Sequence, residues 1–169
     1  MTPSNDTLDL EARAHSEHAQ ELRLWLRLLT CSQLIEKRVR VGLREQFDTT
    51  LPRFDLMAQL ERHPDGLKMK ELSHRLMVTG GNVTGITDQL VAEGLVERMA
   101  VEGDRRAFLV RLTPSGRSAF EHMATQHEQW IVEAFEGMSA KDLDNLHKLL
   151  GKVKQHQLDI NQRMDSEAE

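Results

Sequence analysis

The stretch EGDRRAFLVRLTPSGR, residues 102–117, carries an acid and two adjacent arginines at a turn, then an apolar run and a helix start. An arginine side chain suits an anion because its guanidinium is always charged and presents its N–H donors in a rigid fork. Arg105 and Arg106 are therefore candidates for binding an anionic partner, and Asp104 is a candidate brace for Arg106. The alternative is a solvated hairpin tip, whose exposed ion pair contributes little to stability.

Two β-prone runs flank these arginines, LVERMAV before and AFLVRL after them, and they predict a β-hairpin with a loop of several residues. Upstream, two apolar stripes at helical spacing predict a helix–turn–helix; they comprise Leu72 and Leu76, then Val83, Ile86 and Leu90. Thr79 is placed to cap the second of these helices, and Gly94 to end it. The hairpin is followed by Thr113 and Pro114, a pair typical of a helix start.

A helix–turn–helix directly followed by a hairpin predicts a winged helix, whose second helix fits the major groove of DNA while the hairpin, or wing, reaches the minor groove. The minor groove is narrow and electronegative, which favours arginine. Bare amides at Gly80 and Gly81 suit a phosphate, and the short polar side chains that follow suit base edges. The predicted DNA contacts are Thr79, Gly80, Gly81, Asn82, Thr84, Gly85, Thr87, Arg105 and Arg106. The alternative is a poorly formed helix, rich in glycine, that only packing retains.

Helical periodicity also predicts a long first helix ending near Phe47, a short helix that Pro52 can open, and two long C-terminal helices, the last of them capped by Ser139 and Asp142. The short helix is predicted to turn inward Phe54, Met57, Ala58 and Leu60. One face of the first C-terminal helix is predicted to carry Phe120, Met123, His127, Ile131 and Ala134. The expected fold is mostly α with a small β-hairpin wing, an α+β winged helix–turn–helix. The terminal helices are apolar enough to form a bundle, either between two subunits or within one.

These elements predict one domain over about residues 19–160, and the whole chain divides into five parts. The parts are a mobile tail (1–18), a dimerisation helix (19–50), a winged helix–turn–helix region (51–117), C-terminal dimerisation helices (118–162) and a second tail (163–169).

The composition of the 169 residues excludes several classes of protein. No apolar run approaches the roughly 18 residues that a membrane span needs, and the N-terminus lacks the apolar core of a signal peptide. With the single cysteine Cys31 no internal disulfide forms, so a cytoplasmic protein is expected. The net charge of −5 is uneven, because residues 53–117 hold ten Lys and Arg against nine Asp and Glu, whereas the rest holds 12 against 18. This placement weakly favours an anionic partner in the middle of the chain.

No enzyme is expected from this sequence. It shows no phosphate-binding loop, no nucleophile with a base in a known arrangement, and no set of metal ligands. We therefore expect a DNA-binding protein without a cofactor. A helical module that uses its winged helix to bind another protein is the alternative.

The sequence resembles the MarR family of transcriptional regulators. The segment LKMKELSHRLMVTGGNVTGITDQLVAEGLVER is similar to that family's helix–turn–helix, and the D-R-R of the wing with the following L-T-x-x-G is similar to its wing motif. The resemblance implies a homodimer with intertwined first and last helices. It also implies binding to a pseudo-palindromic operator, usually as a repressor that a small ligand releases. The sequence departs from the pattern at Met77, where the family usually has glycine, and at Lys68, where Ser or Thr commonly caps a helix.

Three kinds of signal could control such a regulator. Redox sensing needs a reactive cysteine, whereas Cys31 is expected to be a small buried hydrophobe. Metal sensing needs clustered ligands, and the sequence offers only the pairs His15 with His18 and His122 with His127. An organic effector is favoured by a run of basic residues in the first helix, namely Lys37, Arg38, Arg40 and Arg44.

These basic residues suit a carboxylate or the phosphates of a coenzyme A thioester. The resemblance implies an effector of that kind, because members of the family often respond to aromatic acids or to their coenzyme A thioesters. A solvated basic face, or phosphate contacts beside the operator, is the alternative.

Overall fold

The computed structural model describes residues 19–76, 80–101 and 104–167, and there the chain is mostly helical with a small antiparallel sheet, as the sequence predicts. The elements are α1 (Ala19–Phe47), α2 (Leu51–Glu61), β1 (Leu67–Lys68), α3 (Met69–Leu76), α4 (Gly80–Ala92), β2 (Val96–Val101), β3 (Asp104–Leu112), α5 (Pro114–Ala134) and α6 (Ala140–Glu167). The predicted N-terminal tail, the cap Thr79 and the departure at Met77 lie outside the described residues. The chain forms two compact units, one extending to Trp130 and one starting at Ile131.

The sheet has three strands in the order β1–β3–β2, whereas the sequence predicted only the hairpin of β2 and β3. Leu67 pairs with Val110, and Lys68 with Leu109. A two-residue strand has no period from which it can be predicted, so this strand was missed. Gly66 turns the chain into β1 with a φ of 91°, and a Cβ there would lie 2.9 Å from the carbonyl oxygen of Val110.

The hairpin has a shorter loop than the sequence predicted, because its two strands are separated by only two residues. Val101 pairs with Asp104 and Ala100 with Phe108, so residues 105–107 form a bulge in β3. The two wing arginines therefore lie in the irregular part of a strand and not in a loop. A bulge next to a turn bends a strand and redirects its side chains.

The core of the first unit is built around α2, which buries Leu56 and Leu60 completely together with Met57 and Phe54. The prediction for this helix was wrong in two places: Leu56 was left out, and Ala58 is only half-buried. Because α2 packs against several elements, its buried surface is wider than a single stripe.

The face of α5 was also predicted only in part. Phe120 and Met123 are buried as expected, His127 is half-buried, and Ala134 is exposed. Trp130, which was not among the predicted residues, is only 2% exposed. From His127 the stripe continues at i+3 to Trp130, although the sequence equally allowed the i+4 continuation.

The end of α4 is closed by a pair of backbone hydrogen bonds. The N–H of Leu95 donates to the carbonyl of Leu90 at 2.9 Å, and the N–H of Gly94 donates to that of Val91 at 3.0 Å. Gly94 has a φ of 72°, which glycine adopts without steric cost. This is a Schellman motif, and it confirms the prediction that Gly94 ends the helix.

The start of α5 is capped as the sequence predicts. The N–H of Gly116 donates to Thr113 Oγ1 at 3.0 Å, which is the N3-to-cap bond of an N-cap threonine. The same hydroxyl donates to the carbonyl of Gly94 at 2.7 Å. One threonine therefore joins the end of α4 to the beginning of α5.

The second unit consists mainly of α6, whose predicted cap is confirmed. The N–H of Asp142 donates to Ser139 Oγ at 3.2 Å, and that hydroxyl donates to the Asp142 carboxylate at 2.6 Å. The helix is amphipathic, yet many large apolar side chains along it are exposed in the protomer: Leu143, Leu149, Leu150, Val153, Leu158 and Met164. Among the described residues, no helix combines the length and the apolar character that a bilayer span requires.

Candidate nucleic-acid interface

The orientation of α4 is fixed by its buried side. Val83 and Leu90 are completely buried, and Ile86 is half-buried, so this predicted stripe faces the core. The opposite side of the helix is exposed and polar or bare; it comprises Asn82, Thr84, Gly85, Asp88 and Gln89. The short polar groups predicted to contact DNA at Asn82 and Thr84 therefore lie on the accessible side of the helix.

Thr87 does not lie on that side, and its assignment as a DNA contact is corrected. Its exposure is 0%, and its hydroxyl donates to the carbonyl of Val83 in the preceding turn at 2.8 Å. A buried hydroxyl needs such a bond, because an unpaired one would be costly. The sequence did not reveal this, since a threonine inside an apolar stripe satisfies its polar group locally.

The predicted phosphate-binding amides of Gly80 and Gly81 form the first turn of α4. Arg105 and Arg106 belong to β3, which Asp104 begins. The side chains of these three residues lie outside the described part of the structure, so the bracing of Arg106 by Asp104 stays a prediction.

An ion pair that the sequence did not reveal connects the helix to the wing. The Arg98 guanidinium, on β2, donates to the Asp88 carboxylate, on the exposed side of α4. The two residues are ten apart in the chain, and no helix or strand spacing relates them. Such a partly exposed pair adds little stability. It does neutralise an acid on the face where a free carboxylate would repel phosphate.

The basic residues of α1 form one face only in part, because Lys37, Arg40 and Arg44 share a face of the helix as their spacing predicts, whereas Arg38 does not join them. Arg40 pairs with Glu36 of the preceding turn, while the Arg38 guanidinium lies 5.8 Å from the centre of the Trp130 ring. Residues two apart on a helix point in divergent directions, so Arg38 and Arg40 occupy opposite flanks. Lys37 and Arg44 are exposed.

Arg40 lines a cleft of about 190 Å³ between α1, α2, α3 and α4, together with Glu36, Leu51, Pro52, Asp55, Leu76 and Ile86. Burial raises the pKa of the Asp55 carboxyl above its ordinary 3.8. Among the neighbouring charges, His127 lowers this pKa, Glu36 raises it and Arg40 lowers it. The cleft therefore contains an acid that ionises reluctantly.

This raised pKa predicts a pH effect on stability. The folded state holds the Asp55 proton more tightly than the unfolded state, so ionisation of Asp55 opposes folding increasingly as pH rises from 3.8 through the folded pKa. The variant Asp55→Asn should therefore have a higher thermal unfolding midpoint than the wild type at neutral pH and nearly the same midpoint below pH 3.8. The control replaces the exposed Asp65 with asparagine, which removes the same charge from the surface of the protein. A midpoint lowered equally at every pH would contradict the prediction.

A second cleft, of about 470 Å³, lies where the end of α1, α2 and the first half of α5 meet. Its lining includes Phe47, Thr49, Arg53, Met57, Glu93, Leu95, His122 and Met123. The Arg53 guanidinium donates to the Glu93 carboxylate just after α4, while its buried Nε has no hydrogen-bond partner among the described atoms. A guanidinium with a spare buried donor beside apolar side chains suits a carboxylate with an apolar body.

The other predicted control sites have different outcomes. Cys31 is exposed in the protomer, so the expectation of a small buried hydrophobe was wrong. Within residues 19–76, 80–101 and 104–167, no three His, Cys, Asp or Glu side chains come together to hold a metal ion. His15 and His18 lie outside the described residues.

The helix–turn–helix of α3 and α4, followed by the β2–β3 hairpin, defines this chain as a winged helix. The profile of the MarR family matches residues 49–108. The transcriptional activatory protein BadR of Rhodopseudomonas palustris is 31% identical over 134 residues, which is 76% of this chain and 75% of BadR. The regulator PecS of Dickeya dadantii is 29% identical over 105 residues, which is 61% of this chain and 63% of PecS.

Solved structures agree with this assignment. A MarR family transcriptional regulator from Silicibacter pomeroyi is 31% identical with a TM-score of 0.70, and the match covers 85% of this chain and 99% of that one. MarR of E. coli in its apo form is 27% identical with a TM-score of 0.68, covering 75% and 94%. The chain belongs to the MarR family, and it is a transcriptional regulator of that family.

Proposed function

We propose that this chain binds duplex DNA as a homodimer at a pseudo-palindromic operator, with α4 in the major groove and the β2–β3 hairpin against the minor groove. It acts as a repressor, and a small organic effector releases it from the operator. The interaction is with DNA and not with another protein, because the exposed side of α4 carries few apolar groups.

The exposed side of α4 is the observation that carries the DNA proposal. Its polar and bare residues project away from the core, next to a hairpin whose β3 contains two adjacent arginines. Two structural neighbours were solved with DNA, a mutant of E. coli MarR with operator DNA and Sco3205 of Streptomyces coelicolor. At 24% and 19% identity these two share the fold, so the proposal rests on this chain's own surface.

Dimerisation is supported by apolar side chains that the protomer leaves exposed on its two longest helices. On α1 these are Leu22, Leu24, Trp25, Leu34 and Val41. Large apolar side chains exposed in such number, on α1 and likewise on α6, favour an interface with another protomer. A two-fold dimer would place two copies of α4 about 34 Å apart, the spacing of successive major grooves.

The wing arginines supply the test of DNA binding. The operator is obtained by selecting DNA fragments of the source genome that the protein binds. The variant Arg106→Ala should bind this operator at least about tenfold more weakly than the wild type while its dimer stays intact. Removing an arginine that contacts DNA should also reduce the slope of log affinity against log salt by about one. The control is Lys141→Ala on α6, which removes the same charge far along the chain from the hairpin.

An unchanged affinity for Arg106→Ala would defeat the proposed role of the wing. A wild-type protein that protects no genomic site would defeat the DNA-binding function altogether.

The effector is proposed to be an aromatic acid or its coenzyme A thioester. The larger cleft lies within the size range of small-molecule pockets, whereas the cleft beside Arg40 is smaller than that range. A ligand carboxylate would displace the exposed Glu93 from Arg53 and so act next to the end of α4. Such a ligand releases the operator only if it binds a shape of the protein that does not fit DNA more tightly than the shape that does.

The test of the effector is a screen of aromatic acids and thioesters for thermal stabilisation and operator release. Arg53→Gln should abolish the response to an acid that the wild type recognises, and Arg40→Gln serves as the matched change in the other cleft. Release by peroxide alone, without release by any acid or thioester, would support redox control through Cys31 instead. A reporter fused to the bound promoter decides between repression and activation.

A further inference from the structure

Gly85 lies in the middle of the exposed side of α4, where no described part of the protomer requires a glycine. Its backbone is helical, and its φ is not positive, in contrast to those of Gly66 and Gly94. A Cβ built on it meets no atom of the described residues within 4 Å. An alanine could therefore stand there with no clash against the described residues of the protomer.

Glycine is nevertheless unfavourable in the interior of a helix, where every residue except proline is better tolerated. It leaves the unfolded chain more freedom and therefore loses more on folding. Gly42 and Gly116 have an internal reason, since a Cβ there would collide with neighbouring atoms, whereas a Cβ at Gly85 or at Gly151 would meet open space. No described contact within the protomer accounts for Gly85, and unlike Gly151 it lies on the side of α4 that faces the proposed DNA.

We propose that Gly85 is a specificity-determining residue, where the bare backbone of α4 comes into van der Waals contact with the 5-methyl group of a thymine in each half-site. This inference rests on the proposed DNA-binding function. The residues three positions away on either side are polar, Asn82 before and Asp88 after, and Asp88 is held by Arg98. Between them, the base opposite Gly85 meets only Cα hydrogens, an apolar surface that matches a methyl group and not a polar edge.

Two substitutions separate this steric role from an effect on folding. Gly85→Ala improves helix propensity, so its thermal midpoint should rise by about 3 °C, yet its operator affinity should fall at least about tenfold because the new methyl holds the helix away from the base. Gly85→Ser adds the same Cβ with less gain in propensity, and should lose as much affinity. Gly151→Ala is the control, because that helical glycine of α6 also has open space around a Cβ. It should raise the midpoint without changing operator affinity, and the oligomeric state of each variant is measured as well, because Gly151 lies on a helix that is proposed to form the dimer.

The thymine is identified by replacing each thymine of the selected operator with uracil, which removes only the methyl group. The wild type should lose about fourfold in affinity for each half-site at one symmetric position, the loss expected for one buried methyl. Gly85→Ala should be insensitive at that position.

The inference is overturned if Gly85→Ala binds the operator as tightly as the wild type, or if the wild type is insensitive to every uracil. It is also overturned if Gly85→Ala loses affinity but keeps the full sensitivity to uracil. Wild-type binding to the selected operator is measured first, so a failure of DNA binding itself is distinguished from a failure of the contact at Gly85.

Discussion

Replacing Gly116 with alanine is expected to lower the free energy of unfolding by about 3 kcal/mol, at the upper end of the usual cost of overpacking. A Cβ at Gly116 would overlap the carbonyl oxygen of Leu95 and lie 2.7 Å from its carbonyl carbon. These are backbone atoms and cannot turn aside as a flexible side chain would. The thermal midpoint should fall by roughly 6–12 °C, since about 2–4 °C is lost per kcal/mol in a chain of this size.

The effect is large because Leu95 cannot move without breaking the junction between α4 and α5. Its carbonyl accepts from the N–H of Thr113 at 3.1 Å, while its own N–H closes the Schellman motif of α4 on Leu90. Thr113 bonds both Gly94 and Gly116. Displacing Leu95 therefore strains the cap of α5 and the end of the proposed recognition helix together.

The control for this prediction is Ser115→Ala in the same turn, at an exposed position. Both variants are compared with the wild type by chemical denaturation at one protomer concentration, because the stability of the proposed dimer would depend on concentration. We also expect the surviving folded fraction of Gly116→Ala to bind the operator more weakly, since α4 would end in a different place. A stability loss no greater than that of Ser115→Ala would show that the backbone at Leu95 adapts.

Helix boundaries could be predicted from the sequence because apolar spacing and capping residues act locally. Thr113 before Pro114, Gly94 after α4, and Ser139 before α6 each satisfy backbone groups within a few residues, which a sequence displays directly. The fold class followed from the order of these elements, since a helix–turn–helix and a hairpin leave few ways to bury their apolar faces.

The features that could not be predicted depend on contacts between distant residues. Strand β1 exists only because β3 pairs with it, and the Arg98–Asp88 pair exists only because the hairpin lies beside α4. The candidate site was predicted as a set of polar and glycine residues on one helix. The sequence did not show which of these residues lie on the exposed side of that helix. Thr87 was assigned to the exposed side because it is polar. It lies on the buried side, where its hydroxyl donates to a carbonyl of the same helix.

The basic residues of α1 show the same limit more clearly. Their spacing correctly placed Lys37, Arg40 and Arg44 on one face, but it did not show that Arg40 pairs with Glu36 or that Arg38 lies against Trp130. A charged residue's partner is decided by whatever element packs beside it, and helical spacing specifies only the flank on which it lies. The buried Trp130, which the sequence did not single out, is what draws Arg38 away.

Gly42→Ala is expected to be the second large loss, about 2–3 kcal/mol, because the same Trp130 lies directly over Gly42. A Cβ on Gly42 would come within 2.6 Å of Cε2 and Cη2 of the indole ring. The ring is 2% exposed and has Phe47 edge-on at 6.5 Å, so it has little room to shift. Gly42 therefore sets how closely α1 approaches α5.

A second substitution tests this explanation by making room. Trp130→Phe removes the six-membered part of the indole that faces Gly42, at a cost of its own from the space it leaves. In the double variant the alanine methyl should fill that space, so the two losses should be less than additive by at least about 1 kcal/mol. Unfolding is followed by circular dichroism, since the substitution removes one of the two tryptophans. Strict additivity would mean that the alanine methyl and the indole do not compete for the same volume, and that the close approach of α1 to α5 does not depend on the glycine.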